Sequence, residues 1–212
     1  MTLLQHMKMG MALSCLFLIT GCANTEAPAP TSQDAAFAVS GIAVLPVRPA
    51  VEFDENQTMA EDKLLQEGSQ VMNGLVKEAL ADKSGIRFVT ATAKAGKKEA
   101  AVNSLDAARR VASQQGCNTV LETTLSRYHE RVGGDYGVKQ PAAVTFAYKL
   151  YEVGEGRVLC HGRFDEQQQS VMENLLTLPK AQSRGLVWLT AEELARDGIK
   201  EKFGQCPYLG GK

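Results

Sequence analysis

The sequence predicts a mixed α/β (α+β) domain with a sheet that is part parallel and part antiparallel, and three observations predict it. Two short apolar runs, Gly41 to Val47 and Ile86 to Thr90, are each followed by a helix-forming stretch. Three longer segments then follow with only glycine-rich turns between them, and the remaining chain has helical periodicity. The order is β-α-β-α-β-β-β-α-α. Strand–helix–strand crossovers place strands parallel, and tight turns place them antiparallel, so helices should pack on one mixed sheet.

The first run, Gly-Ile-Ala-Val-Leu-Pro-Val, is continuously apolar and too short for a helix, as a buried strand is. Pro46 and Pro49 end it. An acidic loop, Val51 to Gln57, leads to a helix over roughly Ala60 to Ala81. Leu64, Gly68, Val71, Leu75 and Ala79 form its stripe, and Met72, Val76 and Leu80 widen it. Lys83-Ser84-Gly85 stops that helix, and Ile-Arg-Phe-Val-Thr at 86–90 is the second strand. Ala91 to Asn103 reads as a solvated loop; contact of its Lys94, Lys97 and Lys98 with anionic headgroups is the less favoured reading. Ser104 then caps a helix through Gln115, with Leu105, Ala108 and Val111/Ala112 inward and Gly116 at its end.

The three long strands are Thr119 to Val132, Ala142 to Val153 and Arg157 to Gln167. Gly133-Gly134-Asp135-Tyr136-Gly137 turns the first into the second, and Gly154-Glu155-Gly156 makes the next hairpin. Val144, Phe146, Tyr148 and Leu150 alternate with Thr145, Ala147 and Lys149. In the tail, Val171, Leu175 and Leu178 line one helical piece. Thr190-Ala191-Glu192-Glu193 is a capping box opening the last helix, with Leu194, Ile199 and Phe203 inward.

Ahead of this domain, Lys8 precedes a short apolar run from Met9 to Ile19, which is too short to span a bilayer and has the length of a signal-peptide core. The run ends in Ile19-Thr20-Gly21-Cys22. A branched apolar residue, small residues and then cysteine resemble the lipobox of bacterial lipoproteins. The resemblance implies cleavage before Cys22 and lipid attached to it, with the membrane as partner through that lipid. Ala23 rather than Asp follows, which by the same resemblance favours the outer membrane, facing the periplasm. Ala23 to Asp34 is rich in Ala, Pro, Thr and Ser without periodicity and reads as a flexible tether. The expected organisation is therefore signal 1–21, lipidated cysteine and tether 22–37, domain 38–205 and tail 206–212.

Ile42-Ala43-Val44-Leu45-Pro46 before a long helix, Gly116-Cys117-Asn118-Thr119-Val120-Leu121 opening a strand, and a hairpin ending Gly156-Arg157-Val158-Leu159 resemble one group of envelope proteins. The group includes the curli-export lipoprotein, the lipoprotein activator of penicillin-binding proteins and the amino-terminal domain of the Tol translocation propeller protein. The likeness covers roughly Val39 to Phe203 in element order, with Cys117-Asn118 where the relatives often have Ala-Asp. It implies a non-enzymatic assembly or docking factor for an envelope complex, with an envelope protein as partner. A subunit of an export channel of the curli type is the alternative. That role needs added lipid-facing strands of about ten alternating residues, and Arg127, His129, Glu130 and Arg131 interrupt such a pattern.

The chemistry-bearing residues agree with a binding role. No nucleophile elbow or phosphate loop occurs. Asp165/Glu166 and Glu192/Glu193 are sequence neighbours, which diverge on a strand or helix and form no acid–base dyad. No catalytic residue, metal or cofactor is expected. Net charge is −1 at pH 7, which implies no polyelectrolyte partner, and export argues against nucleic acid. A homo-oligomer stays open. Of five cysteines, Cys117, Cys160 and Cys206 remain in the domain, and an oxidising compartment allows one intramolecular disulfide among them. Cys206 is expected as one partner, with Cys117 or Cys160 the other; three reduced and buried thiols are the alternative. The far end of the long hairpin should project, so Arg127, Tyr128, His129, Arg131 and Tyr136 are the candidate partner-binding residues; a solvated hairpin without a partner is the alternative.

Overall fold

A computed structural model describes residues 37–50, 59–90, 104–169 and 175–210. Cys22 and its tether, the acidic loop, the lysines at 94, 97 and 98, the side chains of Ser104 and Leu105, and Val171 lie outside the described residues.

The strands are β1 (Ile42–Val44), β2 (Arg48–Pro49), β3 (Ile86–Phe88), β4 (Thr119–His129), β5 (Val132–Gly134), β6 (Gly137–Gln140), β7 (Ala143–Glu152) and β8 (Val158–Gln167). The helices are α1 (Met59–Ala79), α2 (Ser104–Gln115), α3 (Leu178–Ser183) and α4 (Ala191–Gly204), with a 3-10 turn at Leu175–Thr177. The main sheet runs β3-β1-β4-β7-β8, with β2 also paired to β4. β1 pairs with β3 and β4 in parallel, while β4–β7 and β7–β8 are antiparallel, which is the mixed sheet the element order predicts.

Alternation sorts the residues into two cores. Ile42, Val44, Leu121, Leu125, Phe146, Leu150 and Phe164 face α1 and α4. Ala43, Val120 and Tyr151 face the opposite way, towards Ala108 and Ala112 of α2. The aromatic contacts Phe146–Phe164 (5.4 Å) and Tyr148–Phe203 (5.1 Å, edge-on) fill the larger core. Gly198 lets α4 approach it, since a Cβ there would lie 2.7 Å from the Phe164 ring. The capping box forms as read: Glu193 N–H donates to Thr190 Oγ1 (3.2 Å), and Thr190 N–H donates to the Glu193 carboxylate (2.8 Å).

Four local readings change. The buried stripe of α1 is Leu65, Gly68, Ser69, Met72, Leu75 and Val76, with Leu80 buried just past its end; Leu64 and Ala79 are exposed. The strand read as ending at Pro46 and Pro49 is followed by β2, a short parallel pairing with Thr124 and Leu125. Proline fits there because β2 lies at the sheet's margin, and Ala50 N–H takes up the ladder by donating to Leu125 O (2.6 Å). Leu175 and Leu178, read as lining one helical piece, fall in a 3-10 turn and a separate short helix and are exposed. The stretch after Gln205, read as a tail, carries Cys206 and Leu209 into the core. Among the described residues no helix is long and apolar enough to cross a membrane.

Candidate docking surface

The strand read as Thr119 to Val132 ends at His129, and the chain corners before the small β5–β6 ribbon. Side chains hold that corner. The Glu130 carboxylate accepts from Arg131 N–H (2.8 Å) and from Ala191 N–H at the start of α4 (3.2 Å), where the helix dipole favours negative charge. The Arg131 guanidinium donates to Trp188 O (2.5 Å) and to Asp135 (2.6 Å), and Trp188 N–H donates to Asp135 O (2.9 Å). Only 17% of the Arg131 side chain is exposed, so it ties the hairpin to the approach of α4 rather than offering itself to a partner.

A β-bulge distributes the neighbouring candidates. The β4–β7 register shifts between Leu125 and Arg127. Up to Leu125 the odd-numbered residues face α1 and α4; beyond the shift Arg127 faces away and Tyr128 faces in. Tyr128 packs against Gly68 of α1, and burial, followed by the Glu130 and Glu192 charges, pushes its hydroxyl pKa up to about 12. His129, at the end of β4, is half-buried opposite Ala143. Tyr136 sits at the ribbon turn and is 90% exposed. Of the five candidates, Tyr136 is the one the fold leaves fully on offer.

Arg127 joins a different surface, the sheet face beyond α2. It donates to Asp165 (2.7 Å), which also accepts from Thr145 Oγ1 (2.9 Å) and from Arg163 (3.2 Å). These hydrogen bonds and charges, with that from Thr145 the largest contribution, lower the Asp165 pKa despite some desolvation. Lys149 and His161 are exposed on the same face, and Arg48 pairs with Glu122 at its margin. Glu166 points the other way, to Arg184 (2.5 Å) and Lys180, and Arg184 also donates to Asp197 (2.9 Å). The acidic neighbours Asp165 and Glu166 thus lie on opposite faces. No signal in the sequence brings Arg184 to Glu166, because three separate elements supply that cluster.

Cys160 of β8 is bonded to Cys206 after α4, with Cα atoms 5.9 Å apart. Cys117 is free and half-buried; burial raises its thiol pKa, and the Arg87 charge opposes that. A shallow groove of about 690 Å³ between α1 and α4 is lined by Leu75, Ile199, Phe203 and Leu209 with Glu78 and Arg196 at its side. The ribbon strands β5 and β6 have three and four residues, against 11 and 10 in β4 and β7.

No protein-family model matches the chain, and no curated protein matches it in sequence. Among solved structures, the PelC dodecamer from Paraburkholderia phytofirmans is similar at 12% identity over 82% of this chain and 89% of that one, with a TM-score of 0.44. Lipoprotein GNA1162 from Neisseria meningitidis is similar at 17% identity over 69% and 99%, with a TM-score of 0.37. The LpoB C-terminal domain from Salmonella enterica is similar at 15% identity over 61% and 84%, with a TM-score of 0.28. At these identities and scores the likenesses carry no argument about function.

Proposed function

We propose that the chain is a lipid-anchored envelope protein that docks a protein partner rather than catalysing a reaction. The observation that carries the reading is Ile19-Thr20-Gly21-Cys22 at the end of a short apolar run behind Lys8. Lipid on Cys22 holds the protein at the membrane, and Ala23 after it favours the periplasmic side of the outer membrane. The Cys160–Cys206 bond supports export, because such bonds persist in oxidising compartments. Membership of the curli-export and penicillin-binding-protein-activator group belongs to the same proposal.

The docking element is the hairpin tip. Tyr136 supplies amphipathic contact area, and Lys139 lies on the adjoining strand. Because Glu130 and Arg131 already fix the corner, a partner meets a surface with less ordering cost than a free loop would carry. The test is photo-crosslinking in intact cells from an unnatural residue at position 136, compared with one at exposed Glu155 in the other hairpin. A discrete protein adduct from 136 alone supports the reading. No adduct from 136, or the same adducts from both positions, removes the tip as the docking site.

A further inference from the structure

β8 is the edge of the main sheet: it pairs with β7 on one side, and among the described residues no strand pairs with its other side. Ten residues long, it presents a row of backbone donors and acceptors on which another strand could add. Proteins commonly blunt such an edge with charge. Here the charges are of opposite sign and two residues apart: Arg163 and Asp165 lie on the open face, with side chains 62% and 50% exposed.

That spacing makes the edge complementary to itself. A two-fold axis perpendicular to the sheet pairs two β8 strands antiparallel and keeps both open faces on one side. Faces match only in registers centred on a residue, because side chains alternate. Centring on Arg163 sets arginine against arginine, centring on Asp165 sets aspartate against aspartate, and centring on Gly162 sets Arg163 against His161. Centring on Phe164 sets each Arg163 opposite the partner's Asp165, twice over. It also sets His161 opposite the partner's Gln167, and Gly162 adds no side chain against the partner's Glu166. The segment that Lys180 and Arg184 tie to this strand also carries the exposed Leu178 and Leu186.

We propose that β8 is a self-association edge: two copies of the chain join β8 to β8 around a two-fold axis at Phe164, with Arg163 of each paired to the partner's Asp165. In the pair, Arg163 exchanges its contact with its own Asp165 for one across the axis, while Arg127 and Thr145 continue to hold Asp165 in place.

The test uses the full chain purified in detergent, with association followed by analytical ultracentrifugation and folding by thermal melting. The wild type is expected to be dimeric at micromolar concentration. Arg163→Asp sets like charges opposite one another at both contacts, as does Asp165→Arg, so each variant alone should associate about tenfold or more weakly. Mixed together, the two variants restore both opposite-charge contacts, and a mixed dimer should form at close to wild-type strength. A wild type that is monomeric, a dimer indifferent to either substitution, or a mixture that gains no association over its components overturns the proposal.

Discussion

The ring of Tyr128 fills the notch that Gly68 leaves in α1: a Cβ on Gly68 would lie 2.5 Å from Tyr128 Cγ and 2.8 Å from its Cβ. No flexible side-chain end is in the way there, only the base of the ring, so the strand or the helix would have to move. Gly68→Ala should therefore destabilise the domain by about 1–3 kcal/mol despite the better helix propensity of alanine. Gly74, with open space around its Cβ position on the same helix, is the control, and Gly74→Ala should stabilise slightly. Thermal melts of both variants check this. A Gly68→Ala variant as stable as Gly74→Ala would mean that Tyr128 does not pack as described.

Arg131 and Tyr136 are five positions apart and should behave oppositely. Arg131→Ala leaves the Trp188 carbonyl and the Asp135 carboxylate without their shared donor, and should cost about 1–3 kcal/mol. Tyr136→Ala, at an exposed turn, should change stability by less than about 0.5 kcal/mol. Chemical denaturation of both variants tests the contrast, and equal midpoints would contradict the stitched corner.

Much of the fold is legible in the sequence, and the misread positions share a cause. Short apolar runs, glycine stops and the Thr190–Glu193 box mark the elements, because each signal is local to the element it sets. The Ser126 bulge leaves no such mark. Strict alternation from Leu121 puts Arg127 inward and Tyr128 outward, whereas the extra residue reverses both and turns a candidate contact residue into a core one. That α1 buries Leu65 and exposes Leu64 likewise depends on what it packs against, and its Gly68 meets Tyr128 of a strand sixty positions downstream. Arg131, Trp188, Glu166 and Arg184 meet only through tertiary structure.

The disulfide closes a long loop, with its cysteines 46 positions apart, and ties the end of α4 to the sheet edge. Cys206→Ser should lower stability by about 2–4 kcal/mol. Cys117→Ser should leave it nearly unchanged, since that thiol is free. Peptide mapping under non-reducing conditions should recover Cys160 linked to Cys206, and recovery of Cys206 as a free thiol would rule the bond out.

Glu166 makes stability depend on acid. Burial pushes its carboxyl pKa up, but hydrogen bonds from Arg184 and Lys180 and their charges outweigh that and hold it below the ordinary glutamate value. A pKa lowered by folding gives stability that is fully present above the unfolded value and is lost as the pH falls through the lowered one. Glu166→Gln should therefore cost stability at neutral pH and flatten the acid limb of the stability–pH curve. Parallel curves for the wild type and Glu166→Gln between neutral pH and about pH 3 would contradict the clamp.

The central claim is the anchor, and intact-mass analysis of the full-length protein purified from membranes tests it most directly. The account predicts a chain beginning at Cys22 with the added mass of lipid on that residue. It also predicts that a Cys22→Ser variant lacks the lipid and is either left uncut or released from the membrane. A wild-type chain that begins elsewhere without lipid, or a Cys22→Ser chain that is still cut before position 22 and still membrane-bound, would contradict it.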